Sequence, residues 1–376
     1  MKILYTVDCR LDNGGAPKST CILANEMAKL HDVSILTPLE PNSDKYTFKV
    51  VQLTSYKDSF PFPFLQPFKY VRLIIDVNKV INEVNPDIIH TEMPRVAQAV
   101  GILKILGKCK KPIIYTEREY VSGLRQIYKI MYKYLVAKPF DQIICLSNKA
   151  TAFWYKYRKE GVDVIPNPGG AVYDNFSDDE ERIAKSRVKD YDRNNLNVLF
   201  VGRFIPSKRW DIVETIIKHY NTNPLAVHFY IAVAFNETDD SARDMIQSLD
   251  KFENVTVYAN ANKQQMSDLY YIADIHMITS AIESFGRTAI EAMSRKCVVY
   301  STDAGAISET IGFPKYILPS NAVDFVKVLR EYENNVEMLK AEKEQLFNRY
   351  HELYTTESNL NMHISLYERL IIRYQD

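Results

Sequence analysis

Two glutamates, Glu283 and Glu291, stand on either side of a Phe-Gly pair in the second half of the chain. The residues before the pair, 275–279, form a short apolar run typical of a buried strand, whereas 288–295 favour a helix. A helix that begins just after Gly286 would direct its free N–H groups beyond the strand, where a phosphate is the usual ligand. Glu291 can then accept two hydrogen bonds from a vicinal diol such as a ribose, and Glu283 can do the same for a hexose.

A second segment, 197–209, places two cations after an apolar strand. The strand ends at Gly202, and Arg203 and Lys208 follow on the loop before a helix. Because ligands of α/β sheets collect at the carboxyl ends of strands, both side chains are placed to meet an anion. Arg203 offers a bidentate fork and Lys208 a point charge, a pair that fits a diphosphate better than a single carboxylate does. Taken alone, either segment is also compatible with ordinary exposed charges.

Four stretches together resemble one known family. They are 14–18 (Gly-Gly-Ala-Pro-Lys), 164–168 (Val-Ile-Pro-Asn-Pro), Gly202-Arg203 with Lys208, and Glu283 through Glu291, and they occur in the family's order across nearly the whole chain. In these features the chain resembles the retaining glycosyltransferases of family 4. The resemblance implies an α/β chain with the GT-B fold, in which two Rossmann-like, doubly wound parallel-sheet domains face a central cleft.

The resemblance also assigns roles to individual residues. Arg203 and Lys208 would bind the donor's diphosphate and stabilise it as it leaves, and Glu283 would face the donor sugar, so these three form the expected catalytic set. The backbone amides of 285–288 would bind the same phosphates, and Glu291 would hold the ribose. The expected donor-binding set comprises Gly15, Tyr258, Ala259, Phe285, Gly286, Arg287, Thr288 and Glu291.

The first domain is expected to supply the acceptor side. The glycine loop would close over the phosphates, and the acceptor-side residues are expected to be Gly14, Lys18, His90, Arg118 and Glu119. Family members often carry a histidine that touches the donor sugar, and here Arg118 occupies that place. This departure leaves the transferred sugar open, and it suggests the hypothesis that Arg118 or Glu119 contacts an anionic donor sugar or the acceptor.

The length of 376 residues exceeds what one hydrophobic core normally covers, so two domains are expected. Apolar strands alternate with helices in both halves, which argues for parallel sheets covered on both faces. We place the first domain at 1–170, a polar linker at 171–195 and the second, donor-binding domain at 196–357. An amphipathic helix at 358–376 would complete the first domain, as it does in the resembled fold.

Composition excludes several classes of protein. Lys plus Arg equals Asp plus Glu at 47 each, so the chain has no net positive charge that would attract it to nucleic acid. The five cysteines show no paired close spacing, which disfavours a disulfide framework or a zinc site and favours a reducing cytosol. Residues 1–7 are typical of a strand rather than a secretion signal, and no run approaches eighteen apolar residues. A cytoplasmic protein is expected, with peripheral attachment to the inner face of the membrane as an added hypothesis.

That hypothesis comes from the segment 104–160, where thirteen basic residues face only four acidic ones and aromatic residues are interleaved. A basic face with aromatic anchors is how a soluble enzyme binds an anionic membrane, which would present a lipid-linked acceptor to it. A solvated basic face above core tyrosines is the alternative, and RNA binding is a third interpretation without a recognisable RNA module. The Pro- and Phe-rich stretch 59–68 is expected to be irregular, either covering the acceptor site, entering lipid or packing on its own domain.

These features predict transfer of a sugar, with retention at the anomeric carbon, from a nucleotide diphosphate donor to a hydroxyl of a glycan or lipid-linked acceptor in polysaccharide or glycolipid assembly. UDP is favoured by its frequency among such donors, and the strand end at Tyr258 and Ala259 would contact the base through its backbone. No Asp-x-Asp pair ends an apolar strand, so neither a cofactor nor a divalent metal is expected. A nucleotide-sugar epimerase, a phosphorylase and an inactive, transferase-like binding protein are the alternatives.

Overall fold

The computed structural model describes residues 1–11, 15–40, 43–63, 65–118, 121–170, 172–221, 226–283, 285–332 and 335–375. The strands are β1 Lys2–Thr6, β2 Asp32–Pro38, β3 Lys49–Leu53, β4 Ile88–Thr91, β5 Ile113–Thr116, β6 Gln142–Cys145, β7 Val162–Val164, β8 Leu196–Arg203, β9 Val227–Ala234, β10 Val255–Ala259, β11 Ile275–Ile278, β12 Val298–Thr302 and β13 Ile317–Leu318. The α-helices are α1 Gly15–Met27, α2 Pro67–Val84, α3 Pro94–Ile105, α4 Gln126–Tyr132, α5 Asn148–Trp154, α6 Asp178–Arg187, α7 Trp210–Asn221, α8 Asp240–Leu249, α9 Lys263–Ile272, α10 Arg287–Met293, α11 Ile307–Ile311, α12 Ala322–Tyr332, α13 Val336–Leu353 and α14 Thr356–Gln375.

The chain forms two compact units, the first from Met1–Gly170 with Thr356–Asp376 and the second from Ala171–Thr355. The segment 171–195, expected to be a linker, belongs to the second unit and differs from that expectation. It contains α6, whose first residues Asp178 to Glu181 are acidic and suit the positive end of a helix dipole. Ser177 caps this helix by accepting a hydrogen bond from the amide of Glu180. Polar composition here reflects an exposed, well-capped helix that packs on α9.

The first unit is a seven-stranded sheet in the order β3-β2-β1-β4-β5-β6-β7, with every pair parallel. The side chains along each strand enter two cores in turn, because successive side chains point to opposite faces of the sheet. Leu4 enters a core with α2 and α3, whereas Ile3 and Tyr5 enter a core on the other face with α1 and α14. The first unit is therefore a three-layer α/β sandwich that includes the last helix of the chain.

The second unit is a six-stranded sheet in the order β10-β9-β8-β11-β12-β13, again with every pair parallel. The chain moves outward from β8 to β10 on one side and from β11 to β13 on the other. The strand order therefore reverses between β8 and β11, and ligands of open α/β sheets bind at such a point.

The segment 59–68 packs on its own unit at its start. The Phe60 side chain is buried, and the amide of Phe60 donates to the carbonyl oxygen of Asp8 at 2.9 Å. The Arg95 guanidinium lies 3.7 Å from the centre of the Phe62 ring. Contrary to the expectation of irregular structure throughout, α2 begins at Pro67, since proline is favoured in the first turn of a helix, where its missing N–H costs nothing.

Buried hydrogen bonds join α14 to the first sheet. The hydroxyl of Tyr367 lies 2.8 Å from the Tyr5 hydroxyl and 2.6 Å from Nδ1 of His90, and the Nε2 atom of His90 lies 2.6 Å from Oγ1 of Thr116. Burial lowers the pKa of His90 to about 3, with the Arg118 charge adding to the effect, and it lowers the pKa of His363 to about 3. Both histidines are therefore neutral in the folded chain at neutral pH.

We expect folding stability to fall as the pH drops from about 6.5 toward 3. The unfolded chain binds protons at these two histidines near pH 6.5 and the folded chain does not, so acid favours unfolding. Each histidine should lower the free energy of unfolding by about 1 kcal/mol when the pH falls from 6.5 to 5.5. Urea unfolding at these two pH values measures the change, and His363→Gln should reduce it whereas His219→Gln, at an exposed position, should not. Equal unfolding free energies at pH 6.5 and 5.5 would refute this assignment.

Candidate active site

The loops that follow β8 and β11 lie side by side in the second unit. The strands are direct neighbours, with Ile275 opposite Val198. The Oγ1 atom of Thr279 donates to the carbonyl oxygen of Lys208 at 2.9 Å, and the amide of Ala281 donates to the carbonyl oxygen of Ser207 at 2.8 Å. The two sequence segments that carry Arg203, Lys208 and Glu283 are thus joined by their backbones.

Lys208 and Glu283 form an ion pair at this junction. The Nζ atom of Lys208 lies 2.5 Å from Oε2 of Glu283, and the two side chains retain 20% and 16% of their exposure. The lysine stem lies beside Gly202, where a Cβ would be 3.4 Å from the lysine Cγ, an ordinary van der Waals distance. The convergence of two residues 75 positions apart supports the prediction that both segments form one site.

Arg203 lies at the end of β8 with an exposed side chain. Its carbonyl oxygen accepts a hydrogen bond from Nε1 of Trp210 at 2.9 Å, which fixes the backbone. Its guanidinium has no ion-pair or hydrogen-bond partner among the residues described. The second unit therefore presents one unpaired cation next to one that is already neutralised.

Two glycines shape the loop between Glu283 and α10. Gly286 has φ +81 and precedes the helix, and Gly305 has φ +64. A Cβ on Gly305 would lie 2.0 Å from the carbonyl oxygen of Glu283, so only glycine allows this approach. The Oγ1 atom of Thr310 donates to the carbonyl oxygen of buried Phe285 at 2.6 Å. The carbonyl groups of Glu283 and Phe285 are therefore both contacted by residues of the segment 305–310.

Helix α10 is shorter than predicted, with seven residues from Arg287 to Met293. The amides of Arg287 and Thr288 lie in its first turn, where no intrahelical acceptor is available. Both side chains are half-buried. These amides follow the Gly286 turn directly, and their binding of a phosphate stays a prediction.

Glu291 lies on the same helix and is largely buried, with 17% of its side chain exposed. Its Oε2 atom accepts a hydrogen bond from the Tyr270 hydroxyl at 2.9 Å, and its Oε1 atom lies 3.7 Å from Nη2 of Arg287. Burial raises the pKa of Glu291, and the Arg287 charge and the Tyr270 hydrogen bond oppose that rise. Sequence reasoning missed Tyr270 because no local spacing links it to Glu291.

Tyr258 and Ala259 end β10, which is separated from β8 by β9. The Tyr258 hydroxyl accepts a hydrogen bond from the amide of Lys189 at 3.3 Å, so the side chain is directed to the segment after α6. Ala259 is exposed. A contact of this strand end with a base through its backbone stays a prediction.

The structure gives the acceptor-side candidates of the first unit different surroundings. Gly14 and Glu119 lie outside the described residues, Gly15 begins α1, and Lys18 is exposed on that helix. His90, which was expected on the acceptor side, is instead fully buried with both ring nitrogens in hydrogen bonds, so it is not placed to contact an acceptor.

Arg118 also differs from the hypothesis made for it. Its Nε and Nη2 atoms each lie 2.5 Å from Oε2 of Glu92, and its Nη1 atom donates to Oδ1 of Asn167. Its side chain is 8% exposed and that of Glu92 is 0% exposed. Arg118 therefore joins the ends of β4 and β5 to the segment 164–168 instead of reaching outward. Glu92 was missed, although a carboxylate directly after a buried strand was a signal.

Two family models match the chain in tandem. Residues 13–168 match the model described as Glycosyltransferase Family 4, and residues 181–348 match Glycosyl transferases group 1. The chain belongs to glycosyltransferase family 4. Together the two matches cover most of the chain, and each lies largely within one of the two units.

Parts of the chain are similar to two proteins of known sequence. An uncharacterized 41.2 kDa protein in the cps region of Klebsiella pneumoniae is 28% identical over 57% of this chain and 59% of its own length. The GPI3 subunit of the Saccharomyces cerevisiae phosphatidylinositol N-acetylglucosaminyltransferase is 24% identical over 46% of this chain and 37% of its own length. The chain thus spans less than two thirds of either relative.

The fold is that of the GT-B glycosyltransferases. The crystal structure of Anabaena HepE in complex with UDP and glucose has a TM-score of 0.74 and 16% identity, with 98% of this chain and 100% of that chain covered. The sequence-based prediction of two doubly wound parallel sheets is confirmed by this similarity and by the observed strand orders.

We expect Arg118→Ala to lower the free energy of unfolding by about 3–5 kcal/mol, because it leaves the buried Glu92 carboxylate without a counter-charge. Urea unfolding measures the loss. Arg182→Ala removes an arginine from an exposed ion pair with Asp179 and should cost less than about 1 kcal/mol. A loss at Arg118 no larger than that at Arg182 would show that the buried pair is not structural.

Proposed function

We propose that the chain transfers a sugar from a nucleoside diphosphate donor, with UDP as the nucleotide, to a hydroxyl of a glycan or lipid-linked acceptor. The observation that carries the proposal is the contact between Lys208 and Glu283, on the loops where the strand order of the second sheet reverses, with Arg203 at the end of β8. The planar guanidinium of Arg203 and the compact ammonium of Lys208 match the oxygens of a diphosphate. The complex of HepE with UDP and glucose supports this choice of donor class.

Donor binding exchanges one anion for another at Lys208. In the free protein the Glu283 carboxylate neutralises the ammonium at 2.5 Å, but both groups are partly exposed and can separate. A diphosphate that binds Arg203 brings more than one negative charge to Lys208, and so displaces the single carboxylate. Glu283 is thereby released next to the bond between the sugar and the phosphate.

The reaction breaks the bond between the anomeric carbon and the diphosphate oxygen and forms a bond from that carbon to the acceptor oxygen on the same face. Negative charge grows on the departing diphosphate, and Arg203 and Lys208 stabilise it. The acceptor hydroxyl proton passes to a departing phosphate oxygen, as the family resemblance implies. With these two cations in place, the proposal requires no divalent metal or other cofactor.

We expect Arg203→Gln and Lys208→Gln each to weaken UDP binding about 10- to 100-fold, since each removes a charged hydrogen bond to phosphate. Isothermal titration calorimetry with UDP measures this loss. Transfer from UDP-sugars to added glycan acceptors should fall by at least the same factor.

Arg209→Gln is the matched control, because the Arg209 guanidinium pairs with Asp211, with 2.8 Å between Nη2 and Oδ2. It should bind UDP as the unaltered chain does. The proposed function would be wrong if none of UDP, GDP and ADP bound the unaltered chain, or if all three variants bound UDP equally well.

A basic face in the first unit supports a lipid-linked acceptor. We use this name for a set of residues on α4 and on the π-helix Lys133–Ala137 that follows it, together with the two residues that flank these helices: Arg125, Ile127, Tyr128, Lys129, Ile130, Lys133, Tyr134 and Lys138. Ile127, Tyr128, Ile130 and Tyr134 are 40–50% exposed, and no acidic residue occurs from 121 to 140. The face thus combines exposed apolar side chains with four unopposed cations.

The structure separates this face from the core residues of the same sequence region. Tyr132, Phe140, Phe153 and Trp154 are buried, so these aromatic residues stabilise the fold. The Nζ atoms of Lys133 and Lys138 lie 5.0 and 4.6 Å from the centre of the Tyr134 ring. Cations beside an exposed tyrosine suit the headgroup region of an anionic bilayer, where each cation adds about 1 kcal/mol.

Attachment at this face would be peripheral. Within the described ranges, no helix combines the length and the apolar character needed to span a bilayer. The yeast relative is a subunit of a phosphatidylinositol N-acetylglucosaminyltransferase, which supports a lipid as the acceptor here. We place the enzyme in the cytoplasm, at the inner face of the membrane, in polysaccharide or glycolipid assembly.

We expect the double variant Arg125→Gln/Lys138→Gln to bind phosphatidylglycerol-containing vesicles about 30-fold more weakly, from a loss of about 2 kcal/mol. Vesicle co-sedimentation at low salt measures the change. Lys218→Gln/Arg243→Gln removes two exposed charges from the second unit and should bind as the unaltered chain does. Equal losses in both double variants, or no binding by the unaltered chain, would refute this attachment site.

A further inference from the structure

Tyr270 lies behind the Glu291 carboxylate. It belongs to α9, its side chain is fully buried, and its hydroxyl is 2.9 Å from Oε2 of Glu291. Its ring packs in edge-to-face contacts with His276 and Tyr173, whose ring centres lie 6.0 and 6.4 Å away. The position of the hydroxyl is therefore fixed by the packing of the ring against two other rings.

The direction of this hydrogen bond is settled by the chemistry of its two partners. Burial raises the pKa of Tyr270 well above its ordinary value, and the nearby Glu291 charge adds to the rise. The phenol is consequently protonated and donates to the carboxylate. One oxygen of the Glu291 carboxylate thus accepts a hydrogen bond from a group in the protein interior.

The orientation of the Glu291 carboxylate depends on that contact. Rotation of a terminal carboxylate is broad, and Arg287 on the same helix offers a competing charge at 3.7 Å from Oε1, beyond hydrogen-bond distance. The Arg287 side chain is 39% exposed and so can move. Without the tyrosine hydroxyl, the carboxylate is free to turn toward Arg287. With it, Oε1 stays available to a ligand.

We propose that Tyr270 is a positioning residue, which holds the Glu291 carboxylate toward the ribose diol of the donor and thereby sets the preference for ribonucleotides over 2′-deoxyribonucleotides. The inference rests on the proposed function, since it requires a nucleoside diphosphate in the second unit. Tyr270 itself does not touch the donor. It acts by fixing which carboxylate oxygen the ribose hydroxyl groups meet.

Calorimetric titrations with UDP and 2′-deoxy-UDP test this role. The unaltered chain should bind UDP about 10- to 100-fold more tightly than 2′-deoxy-UDP, because the deoxy analogue leaves a charged acceptor without its partner. Tyr270→Phe should reduce this preference to less than about 3-fold, mostly by weakening the binding of UDP. Tyr271→Phe is the matched control on the same helix. Its ring packs against Arg295, its hydroxyl bonds to no described residue, and it should keep the full preference.

A purely structural role predicts a different result. Tyr270→Phe would then weaken the binding of both nucleotides by the same factor. The preference for UDP over 2′-deoxy-UDP would stay unchanged, and that result would overturn the inference. Retention of the full preference in Glu291→Gln, or no preference in the unaltered chain, would overturn it too, although the diphosphate site would stand. Failure of the unaltered chain to bind UDP at all would remove the proposed function and this inference together.

Discussion

The hydrogen-bonded adjacency of β8 and β11 is the constraint on which the candidate active site depends. Parallel strands that are direct neighbours release their loops at the same edge of the sheet, so segments 75 residues apart are forced together. The Thr279 hydroxyl and the Ala281 amide then donate hydrogen bonds to backbone carbonyl oxygens of the β8 loop, and Gly305 closely approaches the carbonyl of Glu283. The charged side chains occupy positions that the backbone has already determined.

Burial decides what an arginine or a lysine does in this chain. The ion pair between Arg118 and Glu92 is buried. Loss of either partner would leave an unpaired charge in the protein interior, so the pair acts as a structural link. The Lys208 and Glu283 pair is equally short but keeps access to solvent, so a stronger anion can replace one partner. Arg203 is exposed and unpaired in the described part of the chain, and it can receive an anion without first giving one up.

Sequence reasoning succeeded where a feature depends on neighbouring residues. Apolar strands, the Gly286 turn, and the cations after β8 follow from local pattern, and the parallel sheets follow from the alternation of strands and helices. It failed where a side chain is defined by a distant partner. His90 is bound to Tyr367, 277 positions away, and Arg118 to Glu92, 26 positions away. A polar side chain at a strand end looks the same in sequence whether it faces a ligand or a buried partner.

This difference between the units has a consequence for acceptor recognition. In the first unit, the polar residues at the ends of β4 and β5 are largely used by one another, since Glu92, Arg118 and Asn167 are joined and His90 is enclosed by Thr116 and Tyr367. They form a rigid base that has little hydrogen-bonding capacity left for a sugar. Under the proposed function, recognition of the acceptor falls to other parts of the first unit. The basic face combines charged groups with exposed apolar side chains, and it suits an amphipathic acceptor better than a neutral monosaccharide.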